Sequence, residues 1–412
     1  MTQPEGFAVS GQERLVCKLR KSLYGLKQAG RAWYEKIDKV LRELGFIPLQ
    51  SDPCIYVLIR TNVAVFIALY VDDLLLLSNS MPALVKLKAD LSQQFSMKDL
   101  GDVQYVLGIQ IERNRAAHTL SISQGEYIRH VLERFGMTDC KPVATPLESS
   151  SKLTKADSPA PGSATDAAFV RLYQSAVGAI MYAMLGTRPD IAYAVTALSQ
   201  FNSNPAQSHW SAVKHVLRYL CGTIDHKLTY GPVTTEDFTS LSLPLHGYSD
   251  SDWGSDSDDR RSVTGYVFML GGAAVSWQAR KQTTVALSSV EAEYMAATQA
   301  TKEAMWWRSV LVELGHRIDG PTVIHSDSQG SIALSKNPEH HARSKHIDIR
   351  HHFVREQVAL GTVTLLYIPT EDMLADVLTK PIPREKHVRL VEEMGLHSSS
   401  SAVGVLKAAE RD

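Results

Sequence analysis

The four residues Tyr70-Val71-Asp72-Asp73 place two adjacent carboxylates between the aliphatic runs Val63–Leu69 and Leu74–Leu77. Both runs are apolar at every position, which is typical of strands covered on both faces. A buried carboxylate is costly unless a cation pairs with it, and magnesium prefers carboxylate oxygens. The pattern therefore favours a metal-binding pair. Because Asp is also a common turn residue, a surface hairpin with an Asp-Asp turn stays open as the alternative.

A second set of acidic residues lies in the C-terminal third of the chain, on separate predicted elements. The candidates are Asp250 or Asp252, Glu293, Asp327 and Asp376. Four acids on four elements mean little by spacing alone, since most acidic residues are solvated or cap helices. Hydrolysis of a phosphodiester by two metal ions, however, needs about this many carboxylates to hold both ions. The set is therefore a hypothesis for a two-metal nuclease site.

Local patterns predict the elements that position these acids. In chain order we expect a helix at Lys27–Leu44, a strand hairpin at Ile55–Leu77, a helix at Pro82–Phe95, a strand at Val103–Ile111, about three helices over 169–222 and a β-rich stretch from 245 to 287. A helix beginning at Ser288 carries a capping box with Glu291, and Glu293 lies on its small-residue face. Asp376 falls in Thr370–Lys380, which we predict to be a Thr-capped helix.

The composition is that of an ordinary soluble protein of two or three domains. The chain has 412 residues, of which 44% are hydrophobic and 21% charged, and its formal net charge is −1. Any surface that binds a polyanion must therefore come from local patches. The four cysteines show no paired metal-ligand spacing and are expected to be reduced thiols in an intracellular protein. The N-terminus has no signal-peptide pattern, and the apolar stretch interrupted by Asp72 and Asp73 is too short to span a bilayer, so we expect no membrane partner.

Long ordered blocks of sequence run through residues 3–390. They include QPEGF (3–7), VCKLRKSLYGLKQAGRAWY (16–34), LYVDDLLLLS (69–78), FSMKDLGDVQYVLGIQI (95–111), TRPDIAYAV (187–195), YSDSDWGSDSDDRRSVTGYVF (248–268), ALSSVEAEYMAA (286–297) and ADVLTKP (375–381). These blocks and their order resemble the C-terminal part of the Pol polyprotein of copia-type LTR retrotransposons. In that family the first half of this region is reverse transcriptase and the last third is ribonuclease H.

The resemblance implies roles for residues of the reverse transcriptase part. Asp72 would bind magnesium directly, with Asp73 beside it. Leu107 and Gly108 would form the hairpin that grips the primer. The segment Tyr24–Gln28, with Tyr24, Lys27 and Gln28, would line the nucleotide and template site. The family usually has Pro where this chain has Gly30, which we expect to loosen the start of that helix.

In the ribonuclease H part, the resemblance maps the carboxylates that hold two Mg²⁺ ions to Asp250, Glu293, Asp327 and Asp376, with Asp252 as a rival for Asp250. Contacts to nucleic acid are expected from Arg260, Arg261, Arg343, Lys345 and Arg350. A solvated basic face and a surface turn are the competing interpretations of these positions. Zinc binding by the histidines between His340 and His352 is a minor alternative, because their spacing matches no standard site.

Two departures from the family pattern affect the expected activity. The family places another catalytic Asp upstream of the QPEGF block, and this chain starts immediately before that block. We therefore expect negligible DNA synthesis by this chain alone. Many ribonucleases H also carry a His before the last Asp, whereas Tyr367–Asp376 contains none. Proton transfer at product release would then rely on water or on a His from elsewhere.

These observations predict an α/β (α+β) protein in several parts. The expected divisions are a partial reverse transcriptase palm (1–147), a linker (148–168), a helical thumb (169–230), a ribonuclease H-like domain with a mixed sheet (245–390) and a disordered tail (397–412). The expected activity is magnesium-dependent cleavage of RNA in RNA–DNA hybrids, with hybrid and template-primer as partners and no small-molecule cofactor. We expect an intracellular location, in a cytoplasmic particle or the nucleus. The alternative is a non-catalytic remnant that at most binds nucleic acid.

Overall fold

The computed structural model describes residues 1–23, 25–150, 152–160, 166–231, 245–336 and 348–398, with the side chains of 348–351 left out. Its contacts divide the chain into two units, residues 1–101 with 313–315 and residues 102–312 with 316–412. Both contain helices and sheets, which confirms the predicted mixed α/β class. Residues 102–147 thus group with the C-terminal unit, although the sequence analysis assigns them to the palm. The predicted five-part division stays a prediction.

The first unit is built on an antiparallel four-stranded sheet. Its elements are α1 (Ala29–Glu43), β1 (Ile47–Pro48), β2 (Ile55–Arg60), β3 (Val63–Tyr70), β4 (Asp73–Ser78) and α2 (Met81–Gln94), and the strand order is β1-β2-β3-β4. Ile37 and Leu41 of α1 pack with Tyr56 and Ile67 of the sheet. In β3, fully buried residues alternate with partly exposed ones. The expectation of strands covered on both faces is therefore wrong, because an apolar run can also form a strand covered mainly on one face.

The second unit contains four helices between residues 125 and 222. They are α3 (Gly125–Arg134), α4 (Ala167–Gly186), α5 (Ala192–Ser199) and α6 (Gln207–Gly222). The last three agree with the three helical pieces predicted over 169–222, whereas α3 was not predicted. By length and composition α4 could span a membrane, whereas the sequence analysis considered only the stretch around Asp72 and Asp73. Tyr173, Val177 and Ile180 of α4 lie in the core that these helices share. Asp166 begins the helix by accepting a hydrogen bond from the backbone of Ala168.

A buried ion pair fixes the connection between α4 and α5. Arg188 and Asp190 are both fully buried, and their side chains approach to 2.6 Å. The carboxylate also accepts a 2.7 Å hydrogen bond from the Tyr219 hydroxyl, and the guanidinium donates to the backbone oxygen of Thr223 at 3.0 Å. Every charge in this cluster therefore has a partner, as burial of ions requires.

A second antiparallel sheet joins segments that are far apart in the sequence. Its strands are β5 (Tyr105–Val106), β6 (Ile109–Asn114), β7 (Thr119–Ser123), β8 (His226–Tyr230) and β14 (Leu396–Ser398), and their order is β14-β8-β7-β6-β5. His397 and Ser398 pair with Lys227 and His226. The prediction of a disordered tail from residue 397 is therefore wrong for these two residues, because they extend an existing sheet edge. Residues 399–412 lie outside the described part of the chain.

The mixed sheet expected for the C-terminal third is present. Its elements are β9 (His246–Ser251), β10 (Val263–Leu270), β11 (Ala273–Lys281), α7 (Ser289–Glu313), β12 (Thr322–Ser326), α8 (Gln329–Lys336), α9 (Asp348–Ala359), β13 (Val363–Tyr367) and α10 (Arg384–Glu393). The strand order is β11-β10-β9-β12-β13. Strands β9 to β11 pair antiparallel, whereas β12 runs parallel to both β9 and β13. The three antiparallel strands are followed by strands that alternate with helices, which gives the predicted mixed sheet.

The segment around Asp376 differs from its prediction. It forms two short 3₁₀ turns, Thr370–Asp372 and Leu374–Leu378, and not one Thr-capped α-helix. Met373 separates the turns because its backbone is extended and its side chain is completely buried. The Thr370 hydroxyl is not available as a cap, since it donates a hydrogen bond to Asp327.

Part of the predicted linker is held against its neighbours. The Thr154 hydroxyl and the Lys155 backbone both donate to the carboxylate of Asp258, at 2.6 and 2.8 Å. The backbone oxygen of Thr154 lies 3.1 Å from a ring nitrogen of His209 on α6. The described residues of this segment therefore join the helices to the loop that precedes β10.

Candidate active site

Asp250 lies near the end of β9, opposite Gly265 of β10. A Cβ atom on Gly265 would lie 2.6 Å from the Thr379 side chain and 2.9 Å from that of Leu378, so glycine allows the 3₁₀ turn to pack directly on the sheet. The Thr379 hydroxyl donates to the Asp250 carboxylate. Burial raises the pKa of Asp250 to about 6, although the positive charge of Lys380 opposes this change.

Glu293 comes from the first turns of α7 and reaches the end of the same strand. Ser288 caps this helix by accepting from the backbone of Glu291, as the sequence predicts. The buried residues Ala297, Ala300 and Ala304 let α7 lie close to the sheet. The Ser251 backbone donates to Oε1 of Glu293 at 3.2 Å, whereas the buried Oε2 has no hydrogen-bond partner among the described residues. Burial, and then the charge of Asp250, raise the pKa of Glu293 well above its usual range.

Asp327 completes a cluster of three carboxylates. It follows directly after β12, the strand that lies beside β9. One oxygen each from Asp250, Glu293 and Asp327 all lie within 4.8 Å of one another. The Thr370 hydroxyl orients Asp327 with a 2.7 Å hydrogen bond. We call these three residues the acidic cluster.

Asp376 lies next to the acidic cluster but has different partners. Its side chain is 1% exposed, and Lys380 Nζ approaches Oδ1 to 2.6 Å while Lys386 Nζ approaches Oδ2 to 2.8 Å. Lys380 Nζ also lies 3.5 Å from Oδ2 of Asp250. Burial lowers the pKa of Lys380, but the charges of Asp250 and Asp376 outweigh this effect and raise the pKa above its usual value. Asp376 is therefore joined to the cluster through a lysine.

Asp252, the rival for Asp250, faces a different part of the structure. Its carboxylate accepts hydrogen bonds from the backbone of Val263 and from the Ser255 hydroxyl. Burial raises its pKa to about 7, although the hydrogen bond from Val263 opposes the change. Within the described residues, the group of acids with metal-ligand spacing contains Asp250 and not Asp252. The geometry therefore favours Asp250 as the first ligand.

Asp72 and Asp73 lie at an exposed hairpin turn between β3 and β4. The premise of two carboxylates buried inside a core strand is therefore wrong, because the chain reverses at Val71-Asp72 and the turn points away from the apolar core. Val71 has a φ of +54°, a strained conformation for a β-branched residue. The Trp33 indole on α1 donates to the backbone oxygen of Val71, which ties the turn to that helix.

The other residues predicted for the polymerase part are placed as follows. Leu107 and Gly108 form the turn between β5 and β6, both with positive φ, and the Tyr182 hydroxyl on α4 donates to the Leu107 backbone oxygen. Lys27 and Gln28 are exposed just before α1, which begins at Ala29 in spite of Gly30. Tyr24 lies outside the described residues.

The predicted basic contacts are only partly described. Arg260 and Arg261 are exposed on the loop before β10, and Arg261 lies 3.9 Å from Asp259. Lys281 holds this loop through ion pairs to Asp256 and Asp259. Arg343 and Lys345 lie outside the described residues. Arg350 falls in α9, but its side chain is not described.

Four residues that support the site were not predicted. Two hydroxyls, on Thr370 and Thr379, orient carboxylates, and two lysines, Lys380 and Lys386, pair with Asp376. The spacing of Asp376 and Lys380 was an available signal, because residues four apart meet on one side of a helical turn. Lys386 and Thr370 lack such a signal, since their contacts depend on how α10 and the 3₁₀ turns pack.

Comparison with known proteins identifies the family. The family described as "Reverse transcriptase (RNA-dependent DNA polymerase)" matches residues 1–149. The Retrovirus-related Pol polyprotein from transposon TNT 1-94 of Nicotiana tabacum is 46% identical over 401 residues, which cover 97% of this chain and 29% of that protein. The putative transposon Ty5-1 protein of Saccharomyces cerevisiae is 33% identical over 73% of this chain and 94% of its own length.

A solved structure, LC11-RNase H1 in complex with RNA/DNA hybrid, matches 33% of this chain at 14% identity with a TM-score of 0.26, a likeness too weak to carry weight. The assignment rests on the sequence relatives, together with the predicted blocks and the observed mixed sheet. The chain belongs to the Pol polyproteins of copia-type retrotransposons and carries the family's reverse transcriptase region.

Proposed function

We propose that this chain cleaves the RNA strand of RNA–DNA hybrids by metal-dependent hydrolysis at the acidic cluster. The observation that carries the proposal is the meeting of Asp250, Glu293 and Asp327 within 4.8 Å, although they come from a strand, a helix and a loop. Such a cluster costs free energy unless positive charge enters it. The chain spans only 29% of the tobacco relative, so the proposal concerns this chain and not the activity of the whole polyprotein.

The residues of the cluster fit a divalent cation. Glu293 has a buried carboxylate oxygen that accepts no hydrogen bond from the part of the chain that the structure describes, and oxygen donors of this kind suit Mg²⁺. Mutual repulsion contributes to the raised pKa values of Asp250 and Glu293, and a cation would relieve it. Asp250, Glu293 and Asp327 would hold the metal.

Divalent ions in a carboxylate site of this class activate a water molecule and stabilise the leaving oxygen. The chain's own contribution is to fix the ligands before substrate arrives. Thr379 orients Asp250, the Ser251 backbone orients Glu293, and Thr370 orients Asp327. Arg260 and Arg261 are exposed and available to phosphates of the hybrid. Selectivity for a hybrid would come from its shape and its 2′-hydroxyls, not from base sequence.

For the polymerase part we propose binding of template-primer without DNA synthesis by this 412-residue chain on its own. Asp72 and Asp73 are exposed at a turn, and the described residues bring no third carboxylate to them within metal-ligand spacing. The turn at Leu107-Gly108, held by Tyr182, would contact the primer strand.

The second candidate function is a remnant that binds nucleic acid without cutting it. One observation favours it, because both oxygens of Asp376 are engaged by lysines and are less available to a metal ion. A remnant of this kind would bind a hybrid with or without magnesium.

A cleavage assay on an end-labelled RNA–DNA hybrid separates the two functions. With Mg²⁺ we expect cutting by the wild-type chain and a loss of at least about 100-fold in Asp327→Asn, since even outer partners of a metal site are worth up to about that factor. Asp139→Asn, which makes the same change at an exposed position, should cut like wild type. Equal cutting by wild type and Asp327→Asn would remove the assignment. Hybrid binding without any cutting by wild type would favour the remnant.

A further inference from the structure

We infer that the ammonium group of Lys380 neutralises the negative charge between Asp250 and Asp376 in place of a metal ion. The acidic cluster then takes one divalent ion readily, and a second ion binds between Asp250 and Asp376 only when the lysine withdraws. This inference rests on the proposed function, because it concerns the number of ions that the same site accepts.

The position of the ammonium group is the main evidence. Lys380 Nζ lies 2.6 Å from Asp376 and 3.5 Å from Asp250, and both carboxylates are almost completely buried. Within the described ranges, neither Glu293 nor Asp327 has a lysine or arginine within ion-pair distance. Among the described residues, the lysine and arginine side chains that form ion pairs at the site therefore lie on the side of Asp250 and Asp376.

The backbone holds Lys380 in this position. Its amide donates to the backbone oxygen of Asp376 at 3.2 Å, which closes the turn on the residue that the side chain pairs with. The preceding residue, Thr379, donates its hydroxyl to Asp250. Gly265 leaves room for this turn against the sheet. The ammonium group therefore reaches the carboxylates of Asp250 and Asp376 from a backbone segment that is held by two hydrogen bonds. One joins Thr379 to the Asp250 carboxylate, and the other joins the Lys380 amide to the backbone of Asp376.

The side chain can also leave. Lys380 is 35% exposed, so its four-carbon chain has a path to solvent, whereas the two aspartates cannot move out of the core. Lys386 holds the other oxygen of Asp376 and does not lie within ion-pair distance of Asp250. Withdrawal of Lys380 alone would thus remove its charge from Oδ1 of Asp376 and from Oδ2 of Asp250, and the latter would keep its hydrogen bond from Thr379.

Because two cations cannot share one position, removal of the ammonium group should strengthen binding of the second ion. A unit charge within about 4 Å of a carboxylate is a strong competitor at a partly buried site, so we expect a gain of at least about tenfold in affinity. Lys380→Arg keeps the charge and should keep the second ion weak. Lys380→Met is of similar length but uncharged, and should behave like Lys380→Gln.

The test is calorimetric titration of the full chain with Mn²⁺ or Mg²⁺ alone, without nucleic acid. We expect wild type to bind one ion well and a second at least tenfold more weakly. Lys380→Gln should strengthen the second ion at least tenfold, whereas Lys302→Gln, which removes an exposed lysine of α7, should match wild type. Circular dichroism of each variant checks that the fold is kept, and Lys380→Met gives the answer if the Gln variant does not fold.

The possible failures are distinguishable. If Lys380→Gln and Lys380→Met bind ions like wild type, the inference about Lys380 is refuted and the acidic cluster stands. If wild type binds no ion at all and Asp250→Asn gives the same trace, the metal site of the proposed function fails, and this inference fails with it.

Discussion

Replacing Asp250 by asparagine should make the stability of the metal-free chain less sensitive to pH. Burial raises the pKa of Asp250 from 3.8 to about 6, so the folded chain holds this proton more tightly than the unfolded chain does. The resulting stabilisation is fully present below pH 3.8 and is lost as the pH rises through 6. One pKa unit corresponds to about 1.36 kcal/mol, so the difference between the two pKa values contributes about 3 kcal/mol to the unfolding free energy at low pH.

The assay is urea unfolding in EDTA at several pH values, followed by circular dichroism. Between pH 5 and 8 the wild-type chain should lose roughly 1.4 kcal/mol of unfolding free energy relative to Asp250→Asn, because the asparagine has no proton to release. The loss of the contact to Thr379 shifts the variant by a constant amount. Removal of the Asp250 charge also lowers the pKa of Glu293 in the variant, which increases the difference in pH dependence between the two chains. Asp139→Asn controls for the chemical change at an exposed position.

A constant gap between wild type and Asp250→Asn over this pH range would refute the reasoning, because it would mean that Asp250 is already ionised in the folded chain at pH 5. Excess Mg²⁺ gives a second check. Ions and protons compete for the same carboxylate oxygens, so magnesium should stabilise wild type more at pH 8 than at pH 5. Asp250→Asn should show little of this effect.

Two further predictions concern the parts of the fold that support the sites. Arg188→Ala should lower the unfolding free energy by about 3–5 kcal/mol, because it leaves Asp190 buried without its partner. Arg317→Ala breaks the exposed pair with Asp319 and should cost at most about 0.5 kcal/mol in the same urea unfolding; similar losses would contradict the role of burial. Val71→Gly should raise the melting temperature, because it relieves a positive φ worth about 1 kcal/mol, and Val71→Ala should gain less. A lower melting temperature for Val71→Gly than for Val71→Ala would count against strain at the turn.

The three residues of the acidic cluster were among the candidates named from the sequence, although spacing alone gave them little weight and the family resemblance selected them. Asp250 lies near the end of β9 and Asp327 directly follows β12, and these two strands are neighbours in the sheet. Glu293 lies on a stripe of small residues, which allows close packing against a sheet. The surroundings of Asp376 were not predictable in this way. Its partner Lys386 lies on α10, which packs beside the 3₁₀ turn that carries Asp376. Packing between two elements produces no periodic pattern in the sequence, so this contact was not predictable.

The N-terminal unit shows a different limit of sequence reasoning. The apolar runs around Asp72 and Asp73 were interpreted as strands buried on both faces. A run of apolar residues does not show whether both faces of a strand are covered, and many residues of β3 and β4 are partly exposed. The five-stranded sheet that contains β14 was missed altogether, since its pairings join segments far apart in the chain.

That sheet has a consequence for biosynthesis. Strand β8 lies between β7 and β14, and β14 is translated long after the other two. On the ribosome, the nascent chain must keep one side of β8 without its final neighbour until residues 396–398 have emerged. An unpaired strand edge attracts other strands, so this interval is when the growing polypeptide is most exposed to mispairing or chaperone capture.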